Sequence, residues 1–207
     1  MKWNPLDALR SALQTPQGPF MIESMQVLST YRFTVDEYHR LGEAGILGGD
    51  DRVELLDGDL INMAPISGEH RTVVDTLNLL LASRAEQDRY RIGIQNPISL
   101  DPYSEPQPDV VLYSSSVLGR HPRADEIYLL IEVADTSLSY DVGPKLAAYG
   151  RAGIREVWVI DAVRRRVLVY RRPEKNHYGT HLELAPEDVV TAEAFPDISL
   201  LISRFLR

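Results

Sequence analysis

Asp109, Glu132 and Lys145 are the residues whose types and spacing suggest chemistry. Asp109 opens the apolar run Asp109-Val110-Val111-Leu112-Tyr113, and Glu132 closes the run from Ile127 to Val133. If both runs are strands and they pair antiparallel, the start of one lies beside the end of the other, so the two carboxylates meet at one end of a sheet. Two carboxylates that close resist simultaneous ionisation unless a cation compensates them. Mg²⁺ takes a few carboxylate oxygens and keeps water and phosphate as further ligands, which makes a divalent ion the natural occupant. Each acid also has a plainer reading, Asp109 as the start of a turn after Pro108 and Glu132 as a strand-end charge that reaches water.

Lys145 follows Glu132 on the next helix. Of 22 basic residues only Lys2, Lys145 and Lys175 are lysine, so a lysine here suggests that a compact, movable ammonium is wanted rather than a planar fork. Its charge could stabilise a phosphorane-like transition state or help to activate a metal-bound water. The alternative is a solvated helix lysine. Asp141, Lys145 and Tyr149 recur at i, i+4, i+8 and share one helix face, and Asp141 is expected to cap that helix and pair with Lys145.

The elements that must position these residues can be read from local pattern. Thr34-Val35-Asp36-Glu37 has capping-box spacing and predicts a short helix ending near Gly45. Arg52 to Leu56 and Leu60 to Met63 flank Asp57-Gly58, which predicts a hairpin. From Ser67 to about Gln87, Val73, Val74, Leu77, Leu80, Leu81 and Ala85 recur at helical spacing. Strand-like runs follow at Tyr90–Gln95, Ile98–Leu100, Asp109–Tyr113 and Ile127–Val133, the last apolar on both faces and therefore central. Asp141, Pro144 and Gly153 bracket a helix, Glu156–Ile160 is a buried strand, and Arg166–Arg171 with His177–Leu184 form an antiparallel ribbon. Asp197 is expected to cap a closing helix. Residues 1–29, with Pro5, Pro16, Gly18 and Pro19, are set apart as an N-terminal extension, and 30–207 form one domain.

Composition bounds the rest. With 44% hydrophobic and 25% charged residues the chain has enough apolar material for a core. The absence of cysteine removes disulfides and thiolate chemistry and fits a reducing compartment. No secretory signal or membrane-length apolar run is visible, so a cytoplasmic location with no membrane partner is expected. A net charge of −8 argues against coating nucleic acid through bulk electrostatics, although bound cations would invert the local field at a carboxylate cluster. Arg164-Arg165-Arg166 with Arg171 and Arg172 reads as a solvated charged turn before it reads as a phosphate grip. Trp158 and Tyr170 are expected in the core. No glycine-rich phosphate loop is present, so no nucleotide cofactor is expected.

Several segments together resemble the Uma-type family of restriction endonucleases within the PD-(D/E)XK nuclease superfamily. They are Val53-Glu54-Leu55-Leu56-Asp57-Gly58, Pro65 to His70, Gln107-Pro108-Asp109-Val110, Leu130 to Ser137, Tyr140-Asp141, Lys145, Tyr149, Ala152-Gly153-Ile154 and Glu156 to Asp161. The resemblance implies an α/β fold with a restriction-endonuclease-like αβββαβ core, a mixed central sheet flanked by helices, and it agrees with the element order read above. An N-terminal helix and hairpin and a C-terminal β-ribbon and helix would complete it. It maps the superfamily's acids onto Asp109 and Glu132. Ala134 stands where the superfamily lysine belongs, and the relocated lysine implied is Lys145. Glu54 becomes the upstream acid, a further metal ligand or water-orienting group, or else an edge-strand glutamate beside a turn. His70 is expected to bond the preceding loop rather than face the cleft.

The function implied is a Mg²⁺- or Mn²⁺-dependent endonuclease hydrolysing phosphodiester bonds in DNA. Asp109, Glu132 and the backbone carbonyl of Val133 would be metal ligands, Asp109, Glu132, Lys145 and Glu54 the catalytic set, and a homodimer through the ribbon after Asp161 the expected assembly. The alternatives are a nuclease-like fold kept as a binding or assembly module without turnover, and a metal-dependent hydrolase of a small phosphorylated substrate.

Overall fold

The computed structural model describes residues 29–48, 50–85 and 89–206. The chain divides into two units, Met1–Thr30 and Tyr31–Arg207. Of the first only Ser29 and Thr30 are described, both exposed, so the expected N-terminal extension otherwise lies outside the described residues.

In the second unit the first helix, α1 (Val35–Glu43), starts where expected. The Thr34 side chain accepts from the Glu37 amide at 3.3 Å and the Glu37 carboxylate accepts from the Thr34 amide at 2.9 Å. The hairpin β1 (Val53–Leu56) and β2 (Asp59–Asn62) turns on Asp57 and Gly58 with φ of 52° and 83°, the pair of positive values that a two-residue turn between twisted strands requires. At Gly58 a Cβ would stand 2.5 Å from that of Arg32, so glycine is demanded twice over.

Helix α2 (Gly68–Ala82) follows its Ser67 cap and stops short of the expected Gln87. The Leu80 carbonyl is instead bonded by the side chains of Ser83 and Arg84, which end the helix locally. Next come β3 (Arg91–Ile94), β4 (Val110–Tyr113), β5 (Ile127–Ala134), α3 (Leu146–Ala152) and β6 (Glu156–Asp161). From α2 the order is αβββαβ. Ile98–Leu100 is a correction. It forms one isolated bridge, Ser99 to Arg123, because Ile98 is pinned to the Pro106 carbonyl in a loop that doubles back.

The strands β7 (Arg166–Glu174) and β8 (His177–Leu184) complete a six-stranded sheet of order β3-β4-β5-β6-β7-β8, antiparallel throughout except for the β5–β6 pair. A parallel pair needs a crossover, and α3 supplies it. Side chains alternate faces along each strand. Leu129, Ile131 and Val133 face a core shared with Val74, Leu77 and Leu81 of α2, whereas Leu130 and Ala134 face one shared with Leu146 and Tyr149 of α3. Trp158, fully buried, anchors the first core; such a side chain contributes roughly 1.5–3 kcal/mol by leaving water.

The C-terminus departs from expectation. Phe195–Leu201 is a strand, β10, paired with β9 (Val189–Ala192), and a single 3₁₀ turn, Ile202–Arg204, follows instead of a helix. Ile198 and Leu200 are buried while Ser199 and Leu201 are exposed, a two-residue period that wins over the helical one because the hairpin must cover the α2 side of the sheet. Asp197 caps nothing and pairs with Arg89 at 2.5 Å.

Candidate active site

The register between β4 and β5 decides where the acids fall. Val110 stands opposite Ile131, so one step outward Asp109 faces Glu132 at the sheet end. Parity puts Glu132 on the α3 face with Leu130, and Asp109 on the same face as Val111. Both are buried, at 8% and 3% exposure, which removes the readings of turn residue and solvated strand-end charge.

The segment before α3 delivers the lysine. A helical turn at Leu138–Tyr140 continues through Asp141–Lys145 across a kink, where Gly143 takes the non-helical φ −108° and ψ −107° and Pro144 has no amide to give. Asp141 is therefore inside the helical segment and not its cap, and its Oδ2 accepts from the Ser137 hydroxyl at 2.5 Å. Past the kink α3 runs to Gly153, which closes it at φ 82°.

Lys145 ends 3% exposed, its Nζ 3.1 Å from Glu132 Oε1 and 3.2 Å from Glu54 Oε2. It is not a solvated helix lysine, and its ion-pair partners are Glu132 and Glu54 rather than Asp141. Glu54 is not an exposed edge residue either. Its Oε2 also accepts from the Gln107 amide at 2.8 Å and its Oε1 from the Tyr140 hydroxyl at 3.0 Å. The Tyr149 hydroxyl donates to Glu132 Oε1 at 2.5 Å. Ala134, where the resemblance would place a lysine, is fully buried in the core that holds Leu146 and Tyr149.

Asp109 is held by three groups. Its Oδ2 accepts from the Val133 amide at 2.8 Å and meets His70 Nε2 at 3.1 Å, and its Oδ1 accepts from Gln95 Nε2 at 3.1 Å. His70 is thus a correction: its ring reaches into the cleft, and only its backbone amide bonds the preceding Ser67. Gln95 escaped the sequence reading. Its positive φ of 51°, just past the end of β3, turns the side chain out of the strand pattern, and no motif signals that.

These contacts set the charges. Burial pushes the Asp109 carboxyl up, but the His70 bond and charge, the Val133 amide and Gln95 together hold it below its ordinary value. Asp109 in turn raises His70 through their hydrogen bond, against burial. Burial drives the Glu132 carboxyl well above the usual range, with Asp141, Asp109 and Glu54 adding to it and Lys145 opposing. Lys145 is also desolvated, yet Glu132, Glu54 and Asp141 outweigh this and raise it, so it stays an ammonium. Asp141 is raised by burial, opposed by Lys145 and Ser137.

The cleft they share encloses about 280 Å³. Among the described residues no three His, Cys, Asp or Glu side chains form a ready cage for a metal ion. The donor set nonetheless fits Mg²⁺, which needs only one or two carboxylates and otherwise keeps water and phosphate. Two carboxylates face each other, and Glu132, under-compensated by Lys145, is a group that a second cation would relieve. Val133 gives its amide to Asp109, and since the amide and carbonyl of one strand residue point to the same side, its carbonyl shares that edge.

Among the described residues no helix is long and apolar enough to cross a membrane. The arginine-rich turn is largely spoken for: Arg164 and Arg166 meet Asp161, Arg171 meets Glu156, and Arg172 bonds Thr180.

Comparison with known proteins bears on the fold and the family. A crystal structure from Anabaena variabilis, described as a "putative nuclease belonging to DUF820", superposes with a TM-score of 0.63 at 17% identity, covering 84% of this chain and 97% of the other, which establishes the shared fold. The type IIG restriction endonuclease BpuSI gives a TM-score of 0.40 at 14% identity, over 70% of this chain and 17% of that one. A search of curated proteins returns no match. The Uma2 family model, described as "Putative restriction endonuclease", matches residues 35–203. That span takes in every element of the αβββαβ core and every site residue above, and the chain belongs to the Uma2 family.

Proposed function

We propose that this protein is a Mg²⁺- or Mn²⁺-dependent endonuclease that hydrolyses phosphodiester bonds in DNA. Its metal ligands are Asp109, Glu132 and the Val133 carbonyl. The observation that carries the reading is the convergence of Lys145 with Glu132 and Glu54, which returns an ammonium to the sheet end although residue 134 is alanine. A divalent ion bound there would acidify a water and neutralise charge on the phosphate. The chain's own residues prepare the rest. Gln95, His70 and the Val133 amide fix the Asp109 carboxylate in its ionised form. Tyr149 and Lys145 orient Glu132 through one oxygen and leave the other toward the cleft. Lys145, held as a cation, stabilises negative charge developing on the phosphate and does not serve as a base. Glu54, with both oxygens engaged, positions Lys145. Cutting both strands of a duplex is most simply served by two copies, and β8, at the edge of the sheet, offers a candidate interface.

The test is cleavage of unmethylated, sequence-diverse genomic DNA at low salt. Wild type is expected to cut with Mg²⁺ or Mn²⁺, to be silent with EDTA, and to bind with little turnover in Ca²⁺. Glu132→Gln should abolish cutting with an unchanged circular-dichroism spectrum. Equal behaviour of the two proteins would remove the nuclease reading in favour of a binding module.

A further inference from the structure

Two side chains lining the cleft carry permanent positive charge, Lys145 and Arg52, and their situations differ. Lys145 is buried and committed to two carboxylates. Arg52, half-buried just before β1, pairs with no carboxylate among the described residues, and its Nη1 donates to the Ala64 carbonyl at 3.1 Å. That is unlike Arg89, Arg120, Arg151, Arg166 and Arg171 of the same chain, each of which meets an acid. The Ala64 bond also fixes the fork in place. The Arg52 carbonyl accepts from the Met63 amide at 2.8 Å, so backbone and guanidinium are both tied to the base of the β1–β2 hairpin while the other N–H groups stay unspent.

A phosphate entering this cleft meets Glu54, Asp109, Glu132, Asp135 and Asp141, and the chain as a whole carries −8. Bulk attraction is therefore absent, and a local cation has to offset the repulsion away from the reacting centre. A guanidinium with free donors matches phosphate oxygens bidentately, which an ammonium does not. We infer that Arg52 holds a backbone phosphate of the bound DNA strand and so positions it over the Asp109–Glu132 pair. The inference rests on the nuclease reading above, and it reads on binding where that reading reads on cleavage.

The experiment measures equilibrium binding of a fluorescein-labelled, mixed-sequence duplex in Ca²⁺ across a salt series, with cleavage of the same duplex pool in Mn²⁺ alongside. Arg52→Gln keeps a donor for Ala64 and loses the charge. It should bind at least about tenfold more weakly, with the salt slope reduced by about 0.9, the value for one phosphate contact. Arg52→Lys, which keeps the charge, should keep the wild-type slope and fall between the two in affinity, and Arg120→Gln, an arginine already paired with Glu126, should match wild type. At saturating DNA the Arg52→Gln protein should keep kcat within a few-fold, the loss appearing as a raised KM, whereas a merely loosened hairpin would lower kcat as well as raise KM. Equal affinity and slope in wild type and Arg52→Gln, or no binding by wild type, overturns the assignment. Should Arg52→Gln fail to fold, wild-type affinity in Arg52→Lys would overturn it instead. Weakened binding by Arg52→Gln with no cleavage by wild type leaves Arg52 in its role and sinks the nuclease reading alone.

Discussion

Glu132, at the end of β5, and Glu156, at the start of the neighbouring β6, are both buried carboxylates on central strands, yet their surroundings are opposite in kind. Glu156 is closed. Its Oε1 accepts from Arg171 Nε and Nη2 at 2.8 and 2.7 Å and from Trp158 Nε1 at 2.9 Å, and its Oε2 accepts from the Glu193 amide at 2.7 Å. One carboxylate meets one guanidinium, two of whose N–H groups converge on Oε1, and each of its oxygens has a donor. Glu132 is open. Tyr149 and Lys145 both address its Oε1, Lys145 is shared with Glu54, and Asp109 and Asp141 stand near with their own charge. Complete pairing is what a buried ion needs to be structural. Incomplete pairing in the wall of a cleft is what the proposed metal site requires.

The largest effect should come from removing the one cation the open cluster has. Lys145→Met preserves volume but leaves Glu54 and Glu132 facing each other in a buried site, and breaking such a pair costs about 3–5 kcal/mol. Chemical denaturation in EDTA should read that loss directly. A solvated helix lysine would cost no more than about 0.5 kcal/mol, and a value that small would dissolve the contrast between the clusters.

Glu156→Gln sharpens the comparison from the closed side. Arg171 is a quarter exposed and can turn to water, so the loss should be smaller, about 2–3 kcal/mol. The response to Mn²⁺ should be untouched: millimolar Mn²⁺ raises the melting temperature of wild type and of Glu156→Gln by the same amount, through binding to the folded state. Asp109→Asn should lose most of that rise. An equal rise in Asp109→Asn would place the metal elsewhere.

What the sequence made legible follows from how local each signal is. Asp109 and Glu132 could be brought together from sequence because each ends an apolar run and a strand's parity carries over to its end. The Asp57-Gly58 turn and the Thr34 box were legible because backbone geometry dictates those residues. Lys145 stood out as one of three lysines and took its role as the relocated lysine from the family resemblance, but its burial between two acids did not come at all, because the kink at Gly143 that aims it is a tertiary compromise. His70 was misread since a first-turn helix residue has no pattern telling whether its ring faces a loop or a strand end. Asp197 was misread because Asp-Ile-Ser-Leu-Leu-Ile satisfies a helical period as well as a strand period, and only the need to cover the α2-side core chooses between them. The closed Glu156 cluster was likewise invisible, its partners lying 15 and 37 residues away.

The smallest expected effect is the most diagnostic one. Glu132→Gln removes a carboxyl that the fold holds well above its ordinary value, mainly through burial and then through Asp141, Asp109 and Glu54 against the pull of Lys145. A carboxyl raised in the folded state favours folding while it is protonated. Its contribution is therefore full below the unfolded-state value and is lost as pH rises through the folded one. In EDTA, wild type should weaken relative to Glu132→Gln as pH is raised from acid to neutral and beyond, so that at neutral pH the variant is as stable as wild type or more so. Saturating Mn²⁺ should reverse the order, because only wild type keeps the carboxylate that an ion can use. Paired denaturation curves at several pH values, with and without the metal, read both effects. If wild type instead gains on Glu132→Gln with rising pH in EDTA, Lys145 already satisfies Glu132 as fully as Arg171 satisfies Glu156, and the sheet end is a second structural ion pair rather than a site left open for a metal.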